Sequence, residues 1–524
     1  MRRLLFAVLA LNLMFILPLW WRYSDISLYL VAWEALIIAP VMLLLPPGLM
    51  RRLVGIALVA WALLATLANV GTAATHMAFA RPFNIYLDVP LLRAVYHLLV
   101  GNVGQLLALC AMVAGIALLL GSVWGLLRLL LPAASYSVKR LSGGVALALL
   151  LVGTTGAALE LSGVRPVDSA RVPLINTTRF QWQQITDTHA ARLAFSEELE
   201  NSPIEAQSLP GLEGRNVLLT YIESYGITAL DDPRYSGVLL PTLTEMQERL
   251  EARDLFVVSG LLDAPIRGGQ SWLAHATLLS GRWIDNQLWY RLMLNSGHST
   301  LVDDFSVTGQ RTLNVMPAIT MAWPEGEAYG FDQIFAAKDI DYAGPALHWV
   351  TMPDQFTLDY AQRNLMGEGP LFAQIALISS HAPWTPILPV IEDWSLIGDG
   401  QIFAPWETAG DPPEVLWQEI ERIRDHYAWS VDYSVKVTGR WAERVVDDNT
   451  LMIALGDHQA APLITGDDAS AAVPVHIISG DPALLEPFLA RGFVPGTLPP
   501  LEPTEDVPRM SELRHWLQAD FAEP

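Results

Sequence analysis

The chain has 524 residues, of which 52% are hydrophobic and only 16% charged, and its formal net charge is −22. That acidic balance excludes a nucleic-acid binder, which needs basic patches, and the length exceeds one small domain. A single cysteine, Cys110 in an apolar run, excludes a disulfide framework and a cysteine-based metal site.

The apolar excess lies before about residue 163. Five stretches there, approximately 4–20, 28–46, 53–74, 104–131 and 142–162, are long enough to span a bilayer, which takes roughly 20 residues. The basic start MRR resembles a signal peptide, but it runs into LPLWW with no small-residue cleavage site, so the first stretch reads as a retained anchor. Arg2 and Arg3, then Arg51 and Arg52, then Arg128, Lys139 and Arg140 fall on one side, which the positive-inside rule makes cytoplasmic. The opposite loops carry only Arg22, Arg81 and Arg93. Five crossings from an inside N-terminus place everything after residue 163 outside. Trp20 and Trp21 suit an interfacial aromatic belt. The segment 84–100 reads either as an amphipathic helix on the outer surface or as a loop packed on the bundle.

Residues 164–213 form a polar connector with a helical stretch near 184–200, and 214–524 form the outer domain. There, apolar strand runs NVLLTYIE (216–223), LFAQIALIS (371–379), TLMIALG (450–456) and VPVHIIS (473–479) alternate with helical patterns at 240–254 and 412–445. This alternation predicts an α/β domain with a central, mostly parallel sheet flanked by helices. In such sheets ligands gather at the carboxyl ends of the strands. Three of the four runs end in acid or imidazole groups: Glu223, then Ser380–His381, then Asp457–His458. Carboxylates and imidazole converging at one edge suit one divalent cation, with Zn, Mn and Mg as candidates.

The stretch 268-GGQSWLAHATLLSG-281 places Ser271 before an apolar run. A serine there is ordinarily a helix N-cap. The alternative is a nucleophile: a cation held by Glu223, Asp457 and His458 would lower the pKa of the Ser271 hydroxyl and polarise an ester oxygen. His381, His275 and Arg267 are candidate donors to the substrate.

The ordered series NVLLTYIES, S-x₄-ATLLSG, SSHAPW, GDH and VPVHII, with GFDQIF at 330–335, resembles the alkaline phosphatase/sulfatase superfamily over about residues 214–480. With its apolar N-terminal half the chain is most similar to the membrane branch, the lipoteichoic acid synthases and phosphoethanolamine or phosphoglycerol transferases. The resemblance implies a sulfatase-like fold with a membrane anchor of five helices over 1–163. It implies Glu223, Ser271, Asp457 and His458 as metal ligands, Ser271 as nucleophile where the branch has Thr, and His381 as the substrate-contacting histidine. It further implies transfer of a phospho-headgroup from a phospholipid donor to a glycan or lipid acceptor, in the cytoplasmic membrane with the catalytic domain outside. Three departures matter. The segment 271-SWLAH-275 lacks the Pro and Arg that formylglycine formation needs, which disfavours sulfate hydrolysis. His275 stands where sulfatases have Arg, and Gln459 replaces the Gly of GDHG. The alternatives are an ester hydrolase on the same fold and a non-catalytic headgroup-binding module. Trp272, Trp283, Trp289, Trp323, Trp349 and Trp384 read as packing residues or as a cradle for a headgroup or sugar. His298 reads as a loop residue, His348 and His476 as core-associated, and His426 as solvated.

Overall fold

A computed structural model describes residues 2–23, 25–79, 81–131, 140–321, 323–367, 369–501 and 507–523. Lys139 and the side chains of Arg93 and Arg140 lie outside the described residues. The chain divides into two compact units, Met1–Met77 with Arg81–Arg192, and Ala78–Ala80 with Leu193–Pro524.

In the first unit the helices are Arg2–Arg22 (α1), Ala35–Leu44 (α2), Leu49–Phe79 (α3), Leu92–Leu130 (α4), Arg140–Leu161 (α5) and Pro173–Asn201 (α6), the last running on past the unit boundary. The segment 84–100 is helical, and its last part is the start of α4, which breaks at Gly104 with φ 80°. Among the described residues four helices are long and apolar enough to cross a membrane: α1, α3, Gly104–Leu130 of α4 and Ser142–Leu161 of α5.

The expectation of five spanning helices is corrected at the second stretch. Its helix, α2, has ten residues, about 15 Å at 1.5 Å per residue against a hydrocarbon core of about 30 Å. What precedes it is extended. Val31–Ala32 pairs in parallel with Ala170–Arg171. Extended backbone in an apolar setting needs a partner for every amide and carbonyl. Asn12 supplies two, donating to Leu30 O at 2.9 Å and accepting from Ala32 N at 2.7 Å, and Trp20 Nε1 donates to Tyr29 O. Trp20 therefore faces Tyr29 while Asn12 faces Leu30 and Ala32, so this segment runs back along α1. At its far end, a Cβ on Gly55 of α3 would meet Leu131 and Met42, and Arg3 Nε donates to Leu129 O. The end of α2, the first turns of α3 and the end of α4 thus meet near the start of α1. Small residues on α5 let α2 lie close: a Cβ on Gly156 would sit 2.6 Å from the Trp33 ring, and one on Gly153 2.9 Å from Leu36.

The second unit is an eight-stranded sheet of Asn216–Ile222 (β1), Phe256–Asp263 (β2), Arg311–Met316 (β3), Gln333–Ala336 (β4), Leu371–Ala376 (β5), Thr450–Gly456 (β6), Ala472–Ser479 (β7) and Val494–Pro495 (β8). The spatial order is β8-β2-β7-β6-β1-β5-β3-β4. The pairs β6/β1, β1/β5, β5/β3 and β3/β4 are parallel, whereas β8/β2, β2/β7 and β7/β6 are antiparallel. The sheet is mixed, not mostly parallel. The link from β6 to β7, residues 457–471, holds only the four-residue helix Pro462–Thr465, with no crossover helix of the kind that usually joins parallel strands.

Alternation along each strand builds two cores. Leu218 and Ile222 face one cluster and Val217, Leu219 and Tyr221 the other. The helices Pro233–Glu251 (α7), Asp354–Asn364 (α9) and Ile420–Val445 (α10) contribute to the first. Ser271–Ser280 (α8) and Glu512–Asp520 (α11) contribute to the second.

Two buried polar links tie the domain together. Arg514 on α11 donates Nε to Asp304 Oδ2 at 2.8 Å, and both side chains are fully buried. Asp304→Ala strands that guanidinium, and we expect a loss of about 3–5 kcal/mol in urea unfolding of the second unit. The second link crosses three strands. Ser259 Oγ donates to Gly496 O, so it accepts from His476 Nδ1 at 2.8 Å, leaving His476 Nε2 to accept from Tyr225 Oη at 3.2 Å. Burial pushes His476 from its ordinary value of 6.5 down to about 4. The unfolded chain binds a proton there at a pH where the folded chain does not, so stability falls as pH drops from about 6.5 toward 4, by at most roughly 1.4 kcal/mol per pH unit from this group. His476→Gln is expected to flatten the wild-type slope of unfolding free energy over that window.

Candidate metal centre and nucleophile

The central strands β6, β1 and β5 are neighbours and parallel, so their carboxyl ends open side by side. They deliver Asp457–His458, Glu223 and Ser380–His381 to one edge. β7 runs the other way, so the residues that follow it, Gly480 and Asp481, lie at the opposite edge. β2 is antiparallel to β7 and so points like β1; its exit loop, 264–270, leads to Ser271.

Ser271 is not an N-cap. Gln270 occupies the cap with φ 67° and makes no side-chain cap bond, and Ser271 is the first residue of α8. Gly268 and Gly269 also have positive φ, 78° and 139°. Three such residues in succession turn the chain sharply, and the non-glycine one costs on the order of 1 kcal/mol or more. The result is that the Ser271 hydroxyl faces the strand edge. Its Oγ lies 3.0 Å from Glu223 Oε2 and 3.1 Å from His458 Nε2.

The backbone sets the roles of the other groups. Asp457 Oδ1 accepts from Ser224 N at 2.9 Å and His458 N at 2.7 Å, and its Oδ2 stands 3.8 Å from His458 Nε2. His458 Nδ1 donates to Gln459 O at 2.8 Å, which leaves Nε2 with its lone pair. That lone pair is 3.5 Å from Glu223 Oε1. Glu223, Asp457 and His458 are all buried, and one ligand atom from each lies within 4.8 Å of the others.

These groups are all acceptors. Ser271 has one proton and two acceptors in reach, so at least one buried lone pair is unsatisfied unless a cation or an extra proton is present. The electrostatics agree. Burial raises Glu223, but the charges of His458 and His381 and the Ser224 hydrogen bond hold it below its ordinary value. Burial and then the Glu223 charge push Asp457 above its ordinary value. Burial opposes protonation of His458, yet Asp457 and Glu223 raise it. One carboxylate–carboxylate–imidazole cluster thus competes for a positive charge. Two carboxylate oxygens, one imidazole nitrogen and a hydroxyl suit a small divalent ion such as Zn²⁺.

Gln459 and Ser224 are the site residues that motif spacing did not single out for this task. The Gln459 carbonyl accepts both His458 Nδ1 and Gly268 N, joining the Asp-His turn to the Ser271 loop. Its side chain fills the space where a Cβ on Gly226 would fall, 1.9 Å from Oε1. The replacement of Gly by Gln after Asp-His was the visible signal.

His381 adjoins the cluster: Ser380 Oγ donates to Glu223 O at 2.6 Å, and His381 Nδ1 lies 2.5 Å from Ala382 O. His275 follows Ser271 by one turn and packs on the Tyr221 ring at 4.0 Å, beneath the Glu223–Ser271 pair. Burial pushes it down to about 3, and among the described residues neither its Nε2 nor Tyr221 Oη has a hydrogen-bond partner. Arg267 is elsewhere engaged; its Nη1 donates to Asp467 O and Ala469 O. Of the six tryptophans, Trp289 stacks on Phe195, Trp323 tilts against Tyr329 and Trp384 is buried against Trp417, while Trp349 tilts against His381 with ring centroids 6.3 Å apart. Two histidines differ from expectation. His348 is exposed with φ 58°, because it turns a loop, and His426 Nδ1 is bound to Trp384 O at 2.9 Å.

No family model and no curated protein matches the sequence. Solved structures do. A phosphoethanolamine transferase A from Neisseria meningitidis, an integral membrane protein acting on lipooligosaccharide by its description, shares 12% identity over 98% of this chain and 94% of that one, with TM-score 0.48. A phosphoglycerol transferase GacH from Streptococcus pyogenes shares 14% over 64% and 91%, TM-score 0.37. The lipoteichoic acid synthase LtaP from Listeria monocytogenes shares 13% over 52% of this chain, with TM-score 0.35, and this chain spans 66% of that one, just under two thirds. In trace the chain is similar to these proteins.

Proposed function

We propose that the chain is a membrane-anchored, metal-dependent phosphotransferase of the alkaline phosphatase superfamily's membrane branch. It would move a phospho-headgroup, phosphoglycerol or phosphoethanolamine, from a phospholipid to a hydroxyl on a glycan or lipid. The observation that carries this is the Ser271 hydroxyl within hydrogen-bond reach of both Glu223 and His458, on a turn with left-handed backbone at Gln270.

In this reading Glu223, Asp457, His458 and Ser271 Oγ hold one divalent cation. When bound, the cation makes the coordinated hydroxyl more acidic and draws charge from the phosphoryl oxygens. Ser271 Oγ, its proton released to solvent beforehand, forms a bond to phosphorus as the bond from phosphorus to the diacylglycerol oxygen breaks, and it leaves again as the same deprotonated oxygen when the acceptor displaces it. His381, its ring set by the Nδ1 contact with Ala382 O, presents Nε2 to the departing oxygen and protonates it. The acceptor hydroxyl then gives its proton to His381, its oxygen bonds phosphorus, and the bond to Ser271 breaks. Burial of the cluster excludes water and strengthens these interactions.

The first unit supports an anchored position. Arg2, Arg3, Arg51, Arg52 and Arg128 all belong to the end where α1 and α3 start and α4 finishes. We take that end as cytoplasmic and the segment from Tyr29 to Leu44 as a broken return pass, which leaves the outer domain on the far side of the cytoplasmic membrane.

Incubation of the full chain with headgroup-labelled phospholipid is expected to leave label on Ser271, located by mass spectrometry, and Ser271→Ala to lose label and transfer, on the order of a thousandfold or more in rate. Free labelled phosphoethanolamine or phosphoglycerol as the main product, with water as the acceptor, would instead make the protein a hydrolase. Unchanged biological effect of Ser271→Ala, with no bound metal, would make it a binding module.

A further inference from the structure

The reading above asks His381 to meet two different oxygens in succession, so its imidazole must be held. His381 is the last residue of a turn in which its N–H donates to Ile378 O at 3.0 Å. The turn is fastened at every residue. Asp354, the first residue of α9 and fully buried, accepts from Ile378 N at 2.7 Å and Ser379 N at 2.8 Å through Oδ1. Its Oδ2 accepts from Ser434 Oγ of α10 at 2.7 Å, and its own N–H donates to Ser379 Oγ at 2.9 Å. Ser380 is bonded to Glu223 O, and Trp384 Nε1 donates to Ser380 O at 2.8 Å.

A fully buried carboxylate is a costly way to close a turn. Three donors and no cation partner satisfy it here, and hydrogen bonds to an ionised acceptor are about twice as strong as neutral ones. The donors lie on the strand exit that carries His381 and on α10. Nothing about the sheet requires that link, because β5 is already paired on both sides, with β1 and β3. We propose that Asp354 is a positioning residue for His381: it clamps the Ile378–His381 turn so that the imidazole faces the Ser271 edge. This rests on the role given to His381 above.

A double-mutant cycle on the full detergent-solubilised chain loaded with Zn²⁺ separates this from a merely structural role. Turnover of bis(p-nitrophenyl) phosphate and affinity for inorganic phosphate are the two readouts. Asp354→Ala is expected to lower turnover on the order of a hundredfold in the native background and to cause no further loss in a His381→Ala background. Zinc stoichiometry should stay unchanged throughout. Ser434→Ala, which removes one donor, gives the same pattern with a smaller loss and serves if Asp354→Ala fails to fold. Equal losses in both backgrounds, or loss of zinc, would overturn the role of Asp354 alone. Full turnover and phosphate affinity in His381→Ala would sink the role of His381 and this inference with it, and neither turnover nor phosphate binding by the native chain would sink the proposed function.

Discussion

The second unit is organised around a concentration of lone pairs that its own protons cannot satisfy. Glu223, Asp457 and the free nitrogen of His458 are buried together, and the single proton of Ser271 is shared between two of them. An acceptor buried without a donor costs a few kcal/mol, and under the proposed function a cation would take up the lone pairs that the Ser271 proton leaves unmatched. The surrounding structure maintains that arrangement. Asp457 is tied to two backbone amides, His458 has its tautomer set by the Gln459 carbonyl, and Ser271 is raised by a left-handed turn. Each device fixes an atom that would hold the cation under the proposed function, which would reduce the ordering cost of binding.

Much of this was legible in the sequence, for a definite reason. β1, β5 and β6 are central strands buried on both faces, so they read as unbroken apolar runs, and their polar ends mark the site edge. β2 was missed because Ser259 and Gly260 interrupt its run. Both have tertiary causes: Ser259 bonds His476 and Gly496 O, and a Cβ on Gly260 would meet the Phe493 ring at 2.7 Å. The direction of β7 was not legible either, since VPVHIIS is equally apolar in either orientation. Ser271 was ambiguous for another reason. A serine before an apolar run has the same local pattern as a cap or as the first helical residue, and only the φ of Gln270 separates them. Asp354 had no local signal at all, because its partners lie more than twenty residues away.

The membrane-like half shows the same division. Hydropathy identifies α1, α3, α4 and α5, where continuous helix satisfies the backbone internally. It fails at the second stretch, where an equally apolar segment is part extended and part short helix. Asn12 and the strand Ala170–Arg171 make that possible by supplying hydrogen bonds from outside the segment. Composition registers how apolar a stretch is, but not which distant residue completes its backbone.

The central claim is that four side chains from two strand exits and one helix start share one cation. Anomalous X-ray scattering from crystals of the full chain grown with Zn²⁺ or Mn²⁺ tests it most directly. The account predicts one strong peak about 2.0–2.2 Å from oxygens of Glu223 and Asp457, His458 Nε2 and Ser271 Oγ. A peak bound elsewhere, or none at saturating metal with these four side chains ordered, would contradict it.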